Sequence, residues 1–270
     1  VPELPEVETT VKQLHPHLPR RRIRSAHIRY RNLYRTGSLG VRYLIDREIA
    51  TVERIGKNIL LRFHPAALMI VNLGMTGQLL ACDARERLCG FRARHLHVRF
   101  GLDNGRELRY YDARRFGHLY IAERCDCFEE LNIGPDPFQM KPAALRAKLR
   151  SRTAAIKTLL MDQRIISGLG NIYTDETLFY AGIDPRTPGQ LAGRNCGRIL
   201  SSARRVLARA IEHGGSTILN YRRRDGTHGE FQKYHEVYGR KGERCCICGG
   251  IIVRIVLSGR GTHFCPTCQR

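Results

Sequence analysis

NIGPDPFQMKP (residues 132–142) separates two stretches of chain with different periodicities. Its prolines, its glycine and Asp136 are turn formers, so it reads as a linker. On its N-terminal side, from about residue 20 to about 125, short apolar runs alternate with Gly, Asn and Asp, as strands do. These runs include "RYLIDREIATVERI" (42–55), "NILLRF" (58–63), "ALMIVNLG" (67–74) and "LHVRF" (96–100). "LDNGRELRYY" (102–111) holds Asn104-Gly105, a strong hairpin signal. On the C-terminal side the spacing turns helical in "AALRAKLRSRTAAIKTLLMDQ" (143–163), "NIYTDETLFYAG" (171–182) and "CGRILSSARRVLARAIEHGG" (196–215). The last of these stops at Gly214-Gly215, and "IISGLGN" (165–171) leaves glycine backbone bare between helices. The expected fold class is α+β, with a β-sandwich or barrel first and helices after it. The expected domains are 1–131, a linker at 132–142, a helical domain at 143–238 and a small unit at 239–270.

That last unit carries Cys245-x-x-Cys248 and Cys265-x-x-Cys268. Two such pairs present four thiolates tetrahedrally to one structural Zn2+. The residues between them predict two strands around Ser258-Gly259, a β-hairpin zinc ribbon whose folding is tied to the metal. Cys246 adjoins a ligand and competes with it. Cys82, Cys89, Cys125, Cys127 and Cys196 lack a second pair and read as reduced thiols. Arg260, near the hairpin tip, reads as a phosphate or groove contact.

The 46 Lys and Arg against 25 Asp and Glu give a net charge of +21. Such an excess opposes compaction unless a polyanion is the usual partner, and nucleic acid fits best. The basic residues are spread along the chain rather than set on one amphipathic helix, which disfavours a membrane surface. No apolar run approaches the roughly 20 residues of a membrane span, and no export signal is seen, so a cytoplasmic protein is expected.

At the start, "VPELPEVETT" sets Pro2, Glu3, Pro5, Glu6 and Glu8 at a helix N-terminus, where proline and carboxylates are favoured. Leu4, Val7, Val11 and Leu14 follow at the spacing of a buried stripe.

Together these stretches resemble the bacterial formamidopyrimidine-DNA glycosylases, the Fpg/MutM family. The resemblance rests on "PELPEVETT" (2–10), "RIGKNILL" (54–61), "NLGMTG" (72–77), "RHLHV" (94–98) and "DARRFG" (112–117). It continues through "IKTLLMDQRIISGLGNIYTDE" (156–176), "GGST" (214–217) and "VYGRKG" (237–242). It implies a β-sandwich flanked by the N-terminal helix, a helical domain with a helix–two-turn–helix, and the zinc hairpin. It also implies excision of oxidised purines from double-stranded DNA, opposite cytosine, by a monomer.

By the same resemblance Pro2 is the nucleophile, Glu3 the general acid/base and Glu6 a supporting carboxylate. Lys57, placed with the catalytic set, joins His95, Asn171 and Arg260 in a phosphate clamp with Tyr238; Lys157 is a further DNA contact. Met75 and Phe116 fill the void left by the extruded nucleotide, and Arg114 reads the orphaned base. Ser216, Thr217, Ile218, Leu219, Asn220 and Tyr221 form a lid over the lesion, with Arg222, Arg223 and Arg224 adding attraction for DNA. The chain departs from the family pattern at Ala113, where proline is common, and at Leu96, where aspartate is common. Val1 also precedes Pro2; an acylated nitrogen cannot attack, so Val1 is expected to be a start residue that is removed. The rival readings are an endonuclease VIII-like glycosylase for oxidised pyrimidines, a non-catalytic lesion binder and a zinc-ribbon RNA-binding protein.

Overall fold

A computed structural model describes residues 2–87, 90–123, 132–216 and 229–270. The architecture is α+β, and the chain forms two compact units. Pro2 and residues 6–123 belong to the first; residues 3–5, 132–216 and 230–270 belong to the second. Helix α1 (Leu4–Leu14) thus begins in one unit and continues in the other.

The first unit holds β1 (Ile23–Ile28), β2 (Glu48–Ile55), β3 (Asn58–His64), β4 (Ala67–Asn72), β5 (Gly77–Asp83), β6 (Leu96–Leu102), β7 (Arg106–Asp112) and β8 (His118–Ala122). They make two antiparallel four-stranded sheets, ordered β1-β6-β7-β5 and β2-β3-β4-β8. Val7, Val11 and Leu14 of α1 join Ile59, Leu61, Met69 and Val71 from one sheet and Val98, Phe100, Leu108 and Tyr110 from the other in a single core. This is a sandwich whose inner faces supply alternate residues of each strand. The β6–β7 hairpin turns at Gly105, whose φ of 74° suits glycine. Two local expectations fail here. The "RYL" of the first apolar run forms a 3-10 turn at Val41–Leu44, because Val41 and Leu44 are three apart and both point inward. A short helix, α2 (Gly90–His95), precedes β6 where none was expected.

The second unit holds α3 (Pro142–Leu149), α4 (Ile156–Met161), α5 (Asn171–Ala181), α6 (Gly189–Ala192) and α7 (Cys196–Glu212). Residues 143–163, read as one helical stretch, break at 150–155. Ala155 is extended, and the amides of Ile156 and Lys157 donate to Thr187 O and Pro185 O instead of to a preceding turn. Helix α5 ends at Gly182, a left-handed C-cap with φ of 63°. In α7, Ile199, Leu200, Ala203, Val206, Leu207 and Ala210 form the buried stripe. The stretch 132–142 is packed within this unit: Met140 is buried, and Arg204 donates to Pro137 O and Met140 O. Strands β9 (Val253–Leu257) and β10 (Arg260–Phe264) pair around Ser258 and Gly259, with φ of 47° and 73°, as a type I′ turn requires. Among the described residues no helix is long and apolar enough to cross a membrane.

Candidate functional site

In the second unit the glycine loop before α5 has a definite task. Gly168, at φ 95°, is so close to Leu4 that an added Cβ would lie 2.6 Å from Leu4 Cδ1, and Leu4 N donates to Gly168 O at 3.1 Å. The Glu3 carboxylate beside it accepts from Gly170 N (2.6 Å), Ile172 N (3.0 Å) and Tyr173 N (3.4 Å). The first turn of α5 lacks a side-chain cap of its own, so Glu3 satisfies its orphan amides across a long sequence separation. Glu3 is 3% exposed and held by three amides of one helical turn. Pro2 and Glu6 are likewise buried. Val1 lies outside the described residues.

Helix α5 is buried on nearly every side yet carries Thr174, Asp175, Glu176 and Thr177. Its carboxylates act as mounting points. Glu176 accepts the amides of Glu236, Val237 and Tyr238, and burial pushes its carboxyl up to about 7 against the pull of those donors. Asp175 Oδ2 accepts His263 N at 2.8 Å, and Asp175 Oδ1 lies 2.7 Å from Lys157 Nζ. The Lys157 ammonium also donates to Gly261 O at 3.0 Å. Lys157, expected as a DNA contact, is 1% exposed, and its ammonium is turned to Asp175 and Gly261 rather than to solvent. Burial lowers its pKa, and Asp175 opposes that shift. Sequence reasoning missed Asp175 and Glu176; the available signal was an acidic pair inside an otherwise apolar helix.

Asn171 opens α5 and donates to Tyr238 OH at 3.4 Å, while its buried Oδ1 has no hydrogen-bond partner among the described residues. Arg260 is exposed at the start of β10, directly after the Ser258-Gly259 turn. Ser216 is buried rather than presented: its amide donates to Tyr173 OH and its Oγ shares a hydrogen bond with His235 Nε2 at 2.9 Å. Burial pushes His235 down to about 4. The rest of the expected lid, Thr217, Ile218, Leu219, Asn220 and Tyr221, lies outside the described residues, as do Arg222, Arg223 and Arg224.

Cys245, Cys248, Cys265 and Cys268 bring their sulfurs within 4.8 Å of one another. Cys245 Sγ to Cys268 Sγ is 3.8 Å and Cys248 Sγ to Cys265 Sγ is 3.4 Å. A tetrahedron of thiolates on zinc has edges of about 3.8 Å, so the donor set fits one Zn2+. Cys246 turns away and donates to Glu236 Oε2 at 2.8 Å, which removes it as a competing ligand. Cys82 and Cys196 are buried thiols; Cys89, Cys125 and Cys127 lie outside the described residues.

In the first unit Lys57 sits half-buried in the β2–β3 turn and His95 half-buried at the end of α2. Met75 and Phe116 are 39% and 55% exposed, so both apolar side chains are open to a partner. The Arg114 guanidinium lies over the Phe116 ring, 4.5 Å from its centroid. An apolar pair with a stacked arginine, set on loops, can enter a base stack and present donors to a base edge.

Comparison with known proteins extends these observations over the whole chain. Residues 1–119 match the formamidopyrimidine-DNA glycosylase N-terminal domain, 133–221 the formamidopyrimidine-DNA glycosylase H2TH domain, and 242–270 the zinc finger found in FPG and IleRS. A formamidopyrimidine-DNA glycosylase of Laribacter hongkongensis is 40% identical over 288 residues, covering 100% of both chains. One from Thermus thermophilus is 40% identical, covering 100% of this chain and 98% of its own. Among solved structures, MutM (FPG) of Thermus thermophilus superposes with a TM-score of 0.86 at 38% identity, covering 99% of this chain and 98% of that one. Lactococcus lactis Fpg, in complex with DNA containing an abasic site, gives 0.87 at 33% identity, covering 99% of each.

Proposed function

Because the chain belongs to the formamidopyrimidine-DNA glycosylase family, we propose that it is a bifunctional DNA glycosylase and AP lyase for oxidised purines. The nucleotide leaves the duplex, since a terminal amine cannot reach a stacked base. The Pro2 nitrogen attacks C1′ of the deoxyribose; the C1′–N bond breaks and the base departs with the electron pair. The Pro2 nitrogen loses its proton, and the C1′–O4′ bond breaks as O4′ takes a proton relayed by Glu3. The nitrogen lone pair completes a cationic iminium on the opened sugar, which acidifies the neighbouring sugar protons. Loss of those protons expels the 3′ and then the 5′ phosphate by β- and δ-elimination. This chemistry needs an unacylated Pro2, so the active chain begins at Pro2.

The observation that carries the reading is the three-amide hold on Glu3. It holds in one position the carboxylate of the residue next to the amine, and a fixed carboxylate there supports a proton-shuttling role. Lys57, His95, Asn171 and Arg260 hold phosphates flanking the extruded nucleotide, with Tyr238 beside Asn171. Met75 and Phe116 occupy the vacated stack, and Arg114 donates to the orphaned cytosine, whose ring nitrogen and carbonyl accept. Glu6 supports the amine from the first turn of α1. The enzyme acts as a monomer in the cytoplasm, on the nucleoid.

Borohydride reduces an iminium to a stable amine, so it traps the intermediate. Duplexes with 8-oxoguanine opposite cytosine should give a covalent adduct and strand cleavage. An adduct mainly on oxidised thymine would move the substrate class to pyrimidines, and tight binding with no adduct would leave only a lesion binder. Intact mass of the active protein should correspond to a chain starting at Pro2.

A further inference from the structure

The two exposed loops of the first unit share a buried anchor. Asp112, with no solvent exposure, ends β7 and accepts four donors. Thr76 Oγ donates to its Oδ1, as does Arg114 N at 3.2 Å; Gly117 N (2.9 Å) and Tyr110 OH (3.1 Å) donate to Oδ2. Arg114 N also reaches Thr76 Oγ at 3.0 Å. One carboxylate thus ties the loop bearing Met75 to the loop bearing Arg114 and Phe116.

The backbones are in contact as well. A Cβ added at Gly74 would lie 2.4 Å from Gly117 N and 2.5 Å from Phe116 C. One added at Gly117 would meet Asn72 O at 2.4 Å and Tyr110 OH at 2.0 Å. Gly74 also has φ of 57°, so no other residue fits there without strain. Behind it, Asn72 Oδ1 accepts Gly74 N, and Asn72 Nδ2 donates to Asn58 Oδ1 on β3. Ala113 does not lock φ as proline does, so the side-chain clasp is what holds residues 113–116 in shape.

We infer that Thr76 and Asp112 are positioning residues that make Met75, Arg114 and Phe116 one rigid wedge, and that this clasp sets discrimination of the base opposite the extruded nucleotide. The inference rests on the proposed function for its DNA consequence, while the clasp itself is a property of the free protein. An arginine free to sample many orientations would donate to several bases. One stacked on Phe116 above a fixed amide presents its donors in one direction and selects the base whose acceptors lie there.

Thr76→Val removes the hydroxyl at constant shape, Thr76→Ser restores it, and Asp112→Asn places an amide opposite the donors. Hydrogen exchange in the free protein should speed up in the 112–118 peptide as well as in 73–78 for Thr76→Val, and return to wild-type rates for Thr76→Ser. A duplex carrying 2-aminopurine opposite a tetrahydrofuran abasic analogue reports unstacking on binding without any chemistry; its fluorescence rise should shrink with Thr76→Val. The ratio of excision opposite cytosine to excision opposite adenine should fall about tenfold, the factor carried by one hydrogen bond from a charged donor. Faster exchange confined to 73–78 with an unchanged fluorescence rise overturns the clasp. If wild-type protein forms no adduct, the proposed function fails, and exchange with fluorescence still decides the clasp. If Asp112→Asn does not fold, the two Thr76 variants decide it.

Discussion

Lys157 and Asp175 are almost wholly withdrawn from water, and each ion loses several kcal/mol of hydration by that. They recover it through mutual contact and through backbone partners on β10: Gly261 O accepts from Lys157, and His263 N donates to Asp175. Removing one partner leaves the other charged and unpaired, so Lys157→Ala should cost about 3–5 kcal/mol. The denaturant midpoint of the second unit measures this. Because Lys157 meets no solvent, Lys157→Met should leave the salt dependence of DNA binding at its wild-type slope, even if affinity drops. A slope reduced by one phosphate would return Lys157 to the DNA surface. Its consequence for Arg260 is indirect: Gly261 is the next residue, and Thr158 Oγ meets Ser258 Oγ in the turn at 3.1 Å. The pair therefore fixes where the exposed arginine stands.

An element with few neighbours of its own kind needs such anchors, and the zinc hairpin is one. Two strands are marginal alone in water, so the metal and the α5 carboxylates share the task. Chelation at neutral pH should abolish exchange protection in 239–270 while β3, β4 and β7 of the first unit keep theirs. Cys246→Ser should retain one zinc per chain, since Cys246 bonds Glu236; loss of stoichiometry would make it a ligand. The hairpin was legible in the sequence because cysteine spacing and a Ser-Gly turn are local signals. The strands of the sandwich were legible for the same reason, as apolar runs between turn formers. What was not legible is long-range. The break at 150–155 depends on acceptors at 185–187, and the role of the 165–171 glycines depends on Leu4 and Glu3. A buried acid pair such as Asp175 and Glu176 contradicts local expectation, and only the fold shows which amides it serves.

For the whole molecule the charge of +21 acts in opposite senses on folding and on binding. Many of the ion pairs are exposed, such as Arg24–Asp46 and Lys233–Glu230, and exposed pairs contribute little. The surplus cations repel one another and oppose compaction until counterions screen them, within about 10 Å at 0.1 M salt. DNA phosphates release those counterions again, so the same surplus drives binding. Raising salt from about 50 to about 200 mM should therefore raise the melting temperature of the free protein while weakening duplex binding by roughly a thousandfold or more, as for 6–10 phosphate contacts. Arg260→Ala and Lys57→Ala should each lower the slope of log affinity against log salt by about one phosphate's worth. Thermal scans and titrations in the same buffers test both signs at once. A melting temperature that falls with salt would mean that attractive pairs outweigh the repulsion, and a slope unchanged in Arg260→Ala would remove the hairpin tip from the DNA contact.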